Sequence, residues 1–160
     1  MVILLETFSK FSDMFKHLDK QLSSVLKTDV APVIMQEMSE EIIEDTYTAY
    51  QSEADEPYVR RGLDGGLADT RNMTVEIIGD NTISITNDTG ENPAYGGNPY
   101  SPIDGIIVSG RGYTWKKSEI YRLQPFPRDF YAGTIARLKK NNKHIQALKM
   151  GMRKRGFDIR

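Results

Sequence analysis

At 160 residues, 39% hydrophobic and 27% charged, the chain is sized for one domain and composed like a folded, soluble protein, which excludes full disorder and a collagen-like fibre. The absence of cysteine removes disulfide frameworks, thiolate metal sites and cysteine nucleophiles, and the widely separated His17 and His144 leave little for a zinc centre. The net charge of -1 argues against a globally basic nucleic-acid binder, yet it conceals an acidic stretch free of Lys and Arg between Thr28 and Val59 and a basic stretch from Arg137 onward.

Along the chain, Leu5, Phe8, Phe11, Phe15, Leu18, Leu22 and Val25 recur at steps of three and four, so residues 4 to 27 read as an amphipathic helix. Glu6 interrupts the apolar opening too early for a signal peptide, and no run approaches the roughly 20 residues of a membrane span, so no membrane partner is expected. A break at Thr28-Asp29 offers an N-cap, Pro32 suits a first turn, and Ile34, Met38, Ile42, Thr46 and Tyr50 carry a second helix to about Ser52. At 100° per residue Glu37, Glu40, Glu41 and Glu44 fall opposite that stripe, as an acidic ridge that is either a solvated face or a surface that repels a polyanion.

Residues 53 to 72 lose periodicity around Pro57 and several glycines. Val75, Ile77 and Ile78 before Gly79-Asp80-Asn81, and Ile83 and Ile85 after it, predict an antiparallel hairpin. The glycines and prolines of 88 to 105 predict a long loop, and Ile106-Ile107-Val108 with Tyr113-Thr114-Trp115 a second strand pair around Gly110. Pro127-Arg128 leads into a helix with the stripe Phe130, Tyr131, Thr134, Ile135 and Leu138, and a basic helix from about Lys143 to Lys154 stops at Gly156.

The catalytic patterns fail in turn: no phosphate-binding Gly-Lys-Ser/Thr loop, no paired-histidine metalloprotease helix, no Gly-x-Ser-x-Gly elbow. His17 and His144 have no local partner for general base chemistry. Asp88-Thr89-Gly90 after a strand resembles the active-site turn of dimeric aspartic proteases, but Asn87 before it is polar and Glu91 would put a third carboxylate beside the shared proton. A strand-ending turn is the plainer reading of Asp88. No cofactor or metal is expected. The basic C-terminus leaves a nucleic-acid-binding accessory role as an alternative, through counterion release, although it carries almost no aromatic residues for stacking on single strands.

Four segments in order, Tyr58-x-Arg60-Arg61 with Gly65-Gly66-Leu67, Ile83 to Asn87, Gly110-x-Gly112-Tyr113-x-Trp115 and Pro125-Phe126-Pro127-Arg128-Asp129-Phe130, resemble the head-to-tail connector or tail-completion proteins (neck, minor capsid) of long-tailed bacteriophages. The resemblance spans roughly residues 33 to 140. It implies an α+β fold, with long helices against a small antiparallel sheet; the chain reads as long N-terminal helices on that sheet with C-terminal helices, divided into an N-terminal amphipathic helix 1–28, a core 29–140 with the long loop 88–105, and a basic extension 141–160, and the first helix and the extension lie outside the resemblance. It further implies a non-enzymatic part of the virion, assembled in the host bacterial cytoplasm. Copies would close into a ring, hexameric on that reading, against neighbouring connector and tail proteins, with double-stranded DNA passing through unbound. The expected subunit or partner contacts are Tyr58, Arg60, Arg61, Tyr95, Tyr100, Trp115, Phe126 and Arg128; Glu37, Glu40, Glu41 and Glu44 would face the lumen, and opposite charges on neighbouring copies would help to fix register.

Overall fold

A computed structural model describes residues 8–48, 61–79, 81–91, 93, 97–111 and 126–159. Among the described residues the fold is α+β: helices from the two ends of the chain pack together, and a two-stranded antiparallel sheet joins them at its base while its turn end is exposed. Helix α1 (Phe11–Val25) runs without a break through a π-helical turn (Leu26–Val30) into α2 (Ala31–Glu41) and a second π-helical turn (Ile42–Thr48). The break expected at Thr28-Asp29 is absent, and no side chain caps the start of α2. The helical backbone runs through the wide turn, where the Ala31 N–H reaches back to the Leu26 carbonyl.

A 3₁₀ turn (Thr70–Asn72) leads into β1 (Met73–Ile78), which pairs with β2 (Thr82–Asn87) in the register Met73 opposite Asn87 and Ile78 opposite Thr82. The expected hairpin is therefore present, with Gly79 supplying the positive φ of the turn. The second strand pair is not. Residues 104 to 109 form a short helix, α3 (Asp104–Ser109), because Ile103 and Ile107 fall one turn apart and pack with Val108 on the main core, while Gly110 closes the turn at φ 65°. Tyr113 to Trp115 lie outside the described residues. Helices α4 (Phe130–Asn141) and α5 (Lys143–Lys154) meet at Asn142, whose φ of 55° turns the chain sharply between them.

Two apolar clusters hold these elements. Met38, Ile42, Leu67, Ala68, Met73 and Phe130 join α2, the hairpin base and α4. Val25, Val30, Ala147 and Met152 join the α1–α2 rod to α5, with Leu18, Leu22, Phe157 and Ile159 around them. The N-terminal helix and the basic C-terminal helix thus share one core. Their closest approach is at Gly151, where an added Cβ would lie 2.5 Å from Val25 Cγ1 and 3.0 Å from Asp29 Cγ. Gly151→Ala is expected to lower stability by about 1–3 kcal/mol, the usual cost of overpacking, in a urea melt.

Candidate functional site

The acidic ridge is the largest departure from the sequence reading. Glu37 is 1% exposed and Glu41 is also buried, so neither faces a lumen or open solvent. Their spacing of three and four residues does align them on one face of α2, but a matching stripe on α4, Gly133, Arg137 and Asn141 at steps of four, is laid against it. Arg137 Nη1 donates to Glu44 at 2.8 Å and Nη2 to Glu40 at 2.9 Å, and its Nε lies 3.5 Å from Glu37 and 3.6 Å from Glu41. Asn141 donates to Glu37 at 2.7 Å, and the Lys143 ammonium closes on the other oxygen of the same carboxylate. Gly133 makes this fit possible, since a Cβ there would strike the Glu41 carboxyl.

The two buried carboxylates titrate in opposite directions. Burial opposes the charge on Glu37, but hydrogen bonds from Lys143 and Asn141 outweigh it and lower its pKa. Burial raises that of Glu41, the neighbouring Asp45 carboxyl raises it further, and Arg137 only partly compensates.

At the basic end, Arg153, Lys154 and Arg155 pair within the chain. Arg155 donates to Asp29 (3.1 Å), Ser24 (3.1 Å) and Thr28 (3.1 Å), Lys154 reaches Asp29 at 3.4 Å, and Arg153 holds the Ile159 carbonyl at 2.8 Å. The Thr28 hydroxyl, 2.8 Å from Asp29, and these cations hold that carboxyl below its ordinary pKa.

A second polar centre gathers the motif residues. Gly66 packs so closely on Gly62 that a Cβ would come 2.5 Å from its carbonyl oxygen. The Gly66 carbonyl accepts from Asn72 Nδ2 (3.0 Å) and Thr89 Oγ1 (3.3 Å); Asn87 donates to the Leu67 carbonyl at 2.7 Å and accepts from the Thr89 hydroxyl at 2.6 Å. Ser39 of α2 donates to the Ala68 carbonyl at 2.6 Å, Arg61 to the Gly90 carbonyl, and Tyr131 of α4 accepts from Asn87 N–H and donates to Asp104, both at 3.0 Å. Burial pushes the Tyr131 hydroxyl up to about 12, so it remains a donor.

Asp69 locks the loop. Its buried carboxylate accepts from Gly65 N–H at 2.7 Å and from Arg71 through the backbone (2.9 Å) and the guanidinium (2.6 Å). The Arg71 guanidinium, followed by those backbone donors, holds Asp69 well below the usual carboxylate range. A lowered acid pKa gives stability that is fully present above the unfolded value of about 4 and is lost as pH falls through the folded one. Asp69→Asn is therefore expected to lower the thermal melting point at pH 7 and to flatten its decline below about pH 4, read by circular dichroism.

Of the expected contact residues, Arg61 belongs to this centre, and Arg128 is buried, with its guanidinium 5.8 Å from the Phe126 ring centroid and its backbone N–H donating to the Ile107 carbonyl at 3.0 Å. Arg61 is half-buried, Phe126 is exposed and Tyr100 is 91% exposed. Tyr58, Arg60, Tyr95 and Trp115 lie outside the described residues. Asp88 is exposed, its carboxylate lies 3.5 Å from the Thr86 hydroxyl, and its backbone N–H bonds the Asn72 carbonyl at 2.8 Å. Among the described residues no group of histidines and carboxylates is placed to hold a metal ion, and no helix is long and apolar enough to cross a membrane. The sequence reading missed Asp69, Asn87, Thr89, Tyr131 and Gly133 as site residues; Asn87, Thr89, Tyr131 and Gly133 meet partners 20 or more residues away, whereas Asp69 closes a local loop on Gly65 and Arg71.

A family model matches residues 10–154, from the start of α1 to the end of α5, and so covers both polar centres. The chain belongs to the YomN family. No curated protein and no solved structure matches it significantly. The YomN match includes α1 and α5, the two elements that the sequence reading set apart from the core.

Proposed function

We propose that this YomN protein is a structural subunit of a phage neck, one copy of a ring that joins the DNA-filled head to the tail and lets DNA pass. The observation that carries the reading is the use made of the motif residues: Arg61, Gly66, Asn87 and Thr89 are consumed in tying chain segments together, as in a framework part. Membership of a phage-related family supports the setting. The lumen assignment is narrowed, since of the four glutamates only Glu40 and Glu44 remain on the rim, both on Arg137. The pairing of Lys154 and Arg155 with Asp29 weighs against a free basic tail for nucleic acid.

Tyr100 is the contact we retain, because its ring is held out by a loop pinned at both ends: Gly90 bridges Pro102, and Asn98 accepts from the Tyr100 N–H at 3.0 Å. The test is an electron micrograph of the purified protein mixed with DNA-filled tail-less heads or with isolated tails. Rings seated on either support the reading, and none on both refutes it. Tyr100→Ala is expected to change stability by no more than about 0.5 kcal/mol, as for an exposed site, while lowering the number of joined particles in a phage that lacks the native gene.

A further inference from the structure

Strand β2 pairs with β1 along one side, and among the described residues no strand lies along its other side. The Asp88 N–H donates to the Asn72 carbonyl just ahead of β1, whereas the Asn87 N–H turns away, to the Tyr131 hydroxyl at 3.0 Å. Main-chain groups alternate in direction along a strand, so Thr82, Ser84 and Thr86 bond to β1 while Ile83 and Ile85 point theirs outward. Among the described residues no hydrogen bond meets those outward groups. Open edges are normally guarded by a charge, a proline or a bulge. β1 has Glu76 near its middle; β2 has none of the three. Its run Thr82-Ile83-Ser84-Ile85-Thr86 reads the same in both directions, and the symmetry extends through Asn81 and Asn87 to Asp80 and Asp88.

We infer that β2 pairs antiparallel with β2 of a second copy, about a two-fold axis at Ser84. Such a contact sets residues equally far from the axis opposite one another, so a palindromic strand makes every pair like with like. The register also meets the alternation of the main chain: Ile83 faces Ile85 of the second copy, and the two exchange both of their outward hydrogen bonds. A shift of one residue would turn these groups away from each other. Thr82 meets Thr86 and Ser84 meets its own counterpart, hydroxyl pairs of the kind that stabilise neighbouring strands. The same contact made by β1 about Glu76 would set two carboxylates face to face, so charge closes one edge of the hairpin and leaves the other open. Val75, Ile77, Ile83 and Ile85 share one face of the hairpin, and Ile77 is 45% exposed. Pairing continues this face into the second hairpin, and a wider sheet with an apolar face is stable where a lone hairpin is marginal. The aspartates that end the palindrome oppose one another and weaken the contact at low salt. The contact is short, so the association depends on concentration. It is two-fold, unlike the head-to-tail contacts that would close a ring, and it does not require the neck reading.

The test is sedimentation of the full chain across a concentration series at about 0.15 M salt. The wild type is expected to rise from the mass of the dilute species to twice that mass. Ser84→Lys should abolish the rise with the fold kept, as circular dichroism and melting would show, because the lysine faces Glu76 within its own hairpin but a second lysine across the axis. Because the chain has no cysteine, a second measurement is independent of that variant. Ser84→Cys should form disulfide-linked pairs on oxidation, since directly opposed Cβ atoms lie about 4.5–5.5 Å apart. Thr74→Cys, exposed on the same face of the sheet but on β1, should not. A constant wild-type mass, as for an edge that takes only a foreign strand, or growth past twice the mass, as when β1 of one copy pairs with β2 of the next, would each overturn the inference. So would an undiminished rise in Ser84→Lys or equal cross-linking at both positions. These measurements use the purified protein alone, and head and tail binding in micrographs is scored separately, so failure of the neck reading leaves a distinct result.

Discussion

Arg137→Ala is expected to cost about 3–5 kcal/mol of unfolding free energy at neutral pH, the range for removing one partner of a buried ion pair. The guanidinium serves Glu37, Glu40, Glu41 and Glu44 together. Glu37 keeps Lys143 and Asn141 when it is lost, so the deficit falls chiefly on Glu41, which is left beside Asp45 with no cation to offset burial. The pH dependence gives a separate readout. Glu41 already holds its proton more tightly in the folded state, and its ionisation costs stability as pH rises above the unfolded value of about 4.3. Without Arg137 that cost grows, so the difference between variant and wild type should shrink as pH falls toward 4. A deficit that is flat from pH 7 to pH 4 in urea melts would show that the arginine acts through its stem packing alone.

Phe130→Ala should be of similar size, about 3–5 kcal/mol, because a large aromatic side chain leaves a cavity that its surroundings refill only in part. Phe130 is fully buried among Met38 of α2, Ile42 of the π-helical turn that follows it, Leu67 and Ala68 after Gly66, and Met73 at the hairpin base. Loss of the ring therefore loosens three elements at once, and the neighbouring Tyr131, whose ring centroid is 4.5 Å away, loses its support. Calorimetry should show a lower melting point, and hydrogen exchange should show faster opening at both Asn87 and Ala68.

Features set by near neighbours were legible in the sequence. The hairpin followed from alternation around Gly79, and the ends of α4 and α5 from Pro127 and Gly156. Features set by distant partners were not. The acidic stripe was seen, and its spacing was right, but Arg137, Asn141 and Lys143 approach it from 93 to 106 residues away, so one sequence could not distinguish a solvated face from a buried one. The run Ile106-Ile107-Val108 carries the β-branched signature of a strand, yet burial of Ile103, Ile107 and Val108 on the main core overrides it. Arg61 donates to the Gly90 carbonyl and the Arg128 backbone N–H to the Ile107 carbonyl, main-chain contacts that motif reading does not see.

The π-helical turn at Leu26–Val30 also sets an angular phase. Each residue of an α-helix turns its successor by about 100°, so one residue added or removed within the turn would rotate the whole of α1 about its axis and carry Leu18, Leu22 and Val25 off α5. Phe11 and Phe15 could point in a new direction only at the expense of that second apolar cluster. The length of the wide turn is therefore held in place by the cluster that α1 shares with α5, and the aim of the exposed aromatic side chains is fixed along with it.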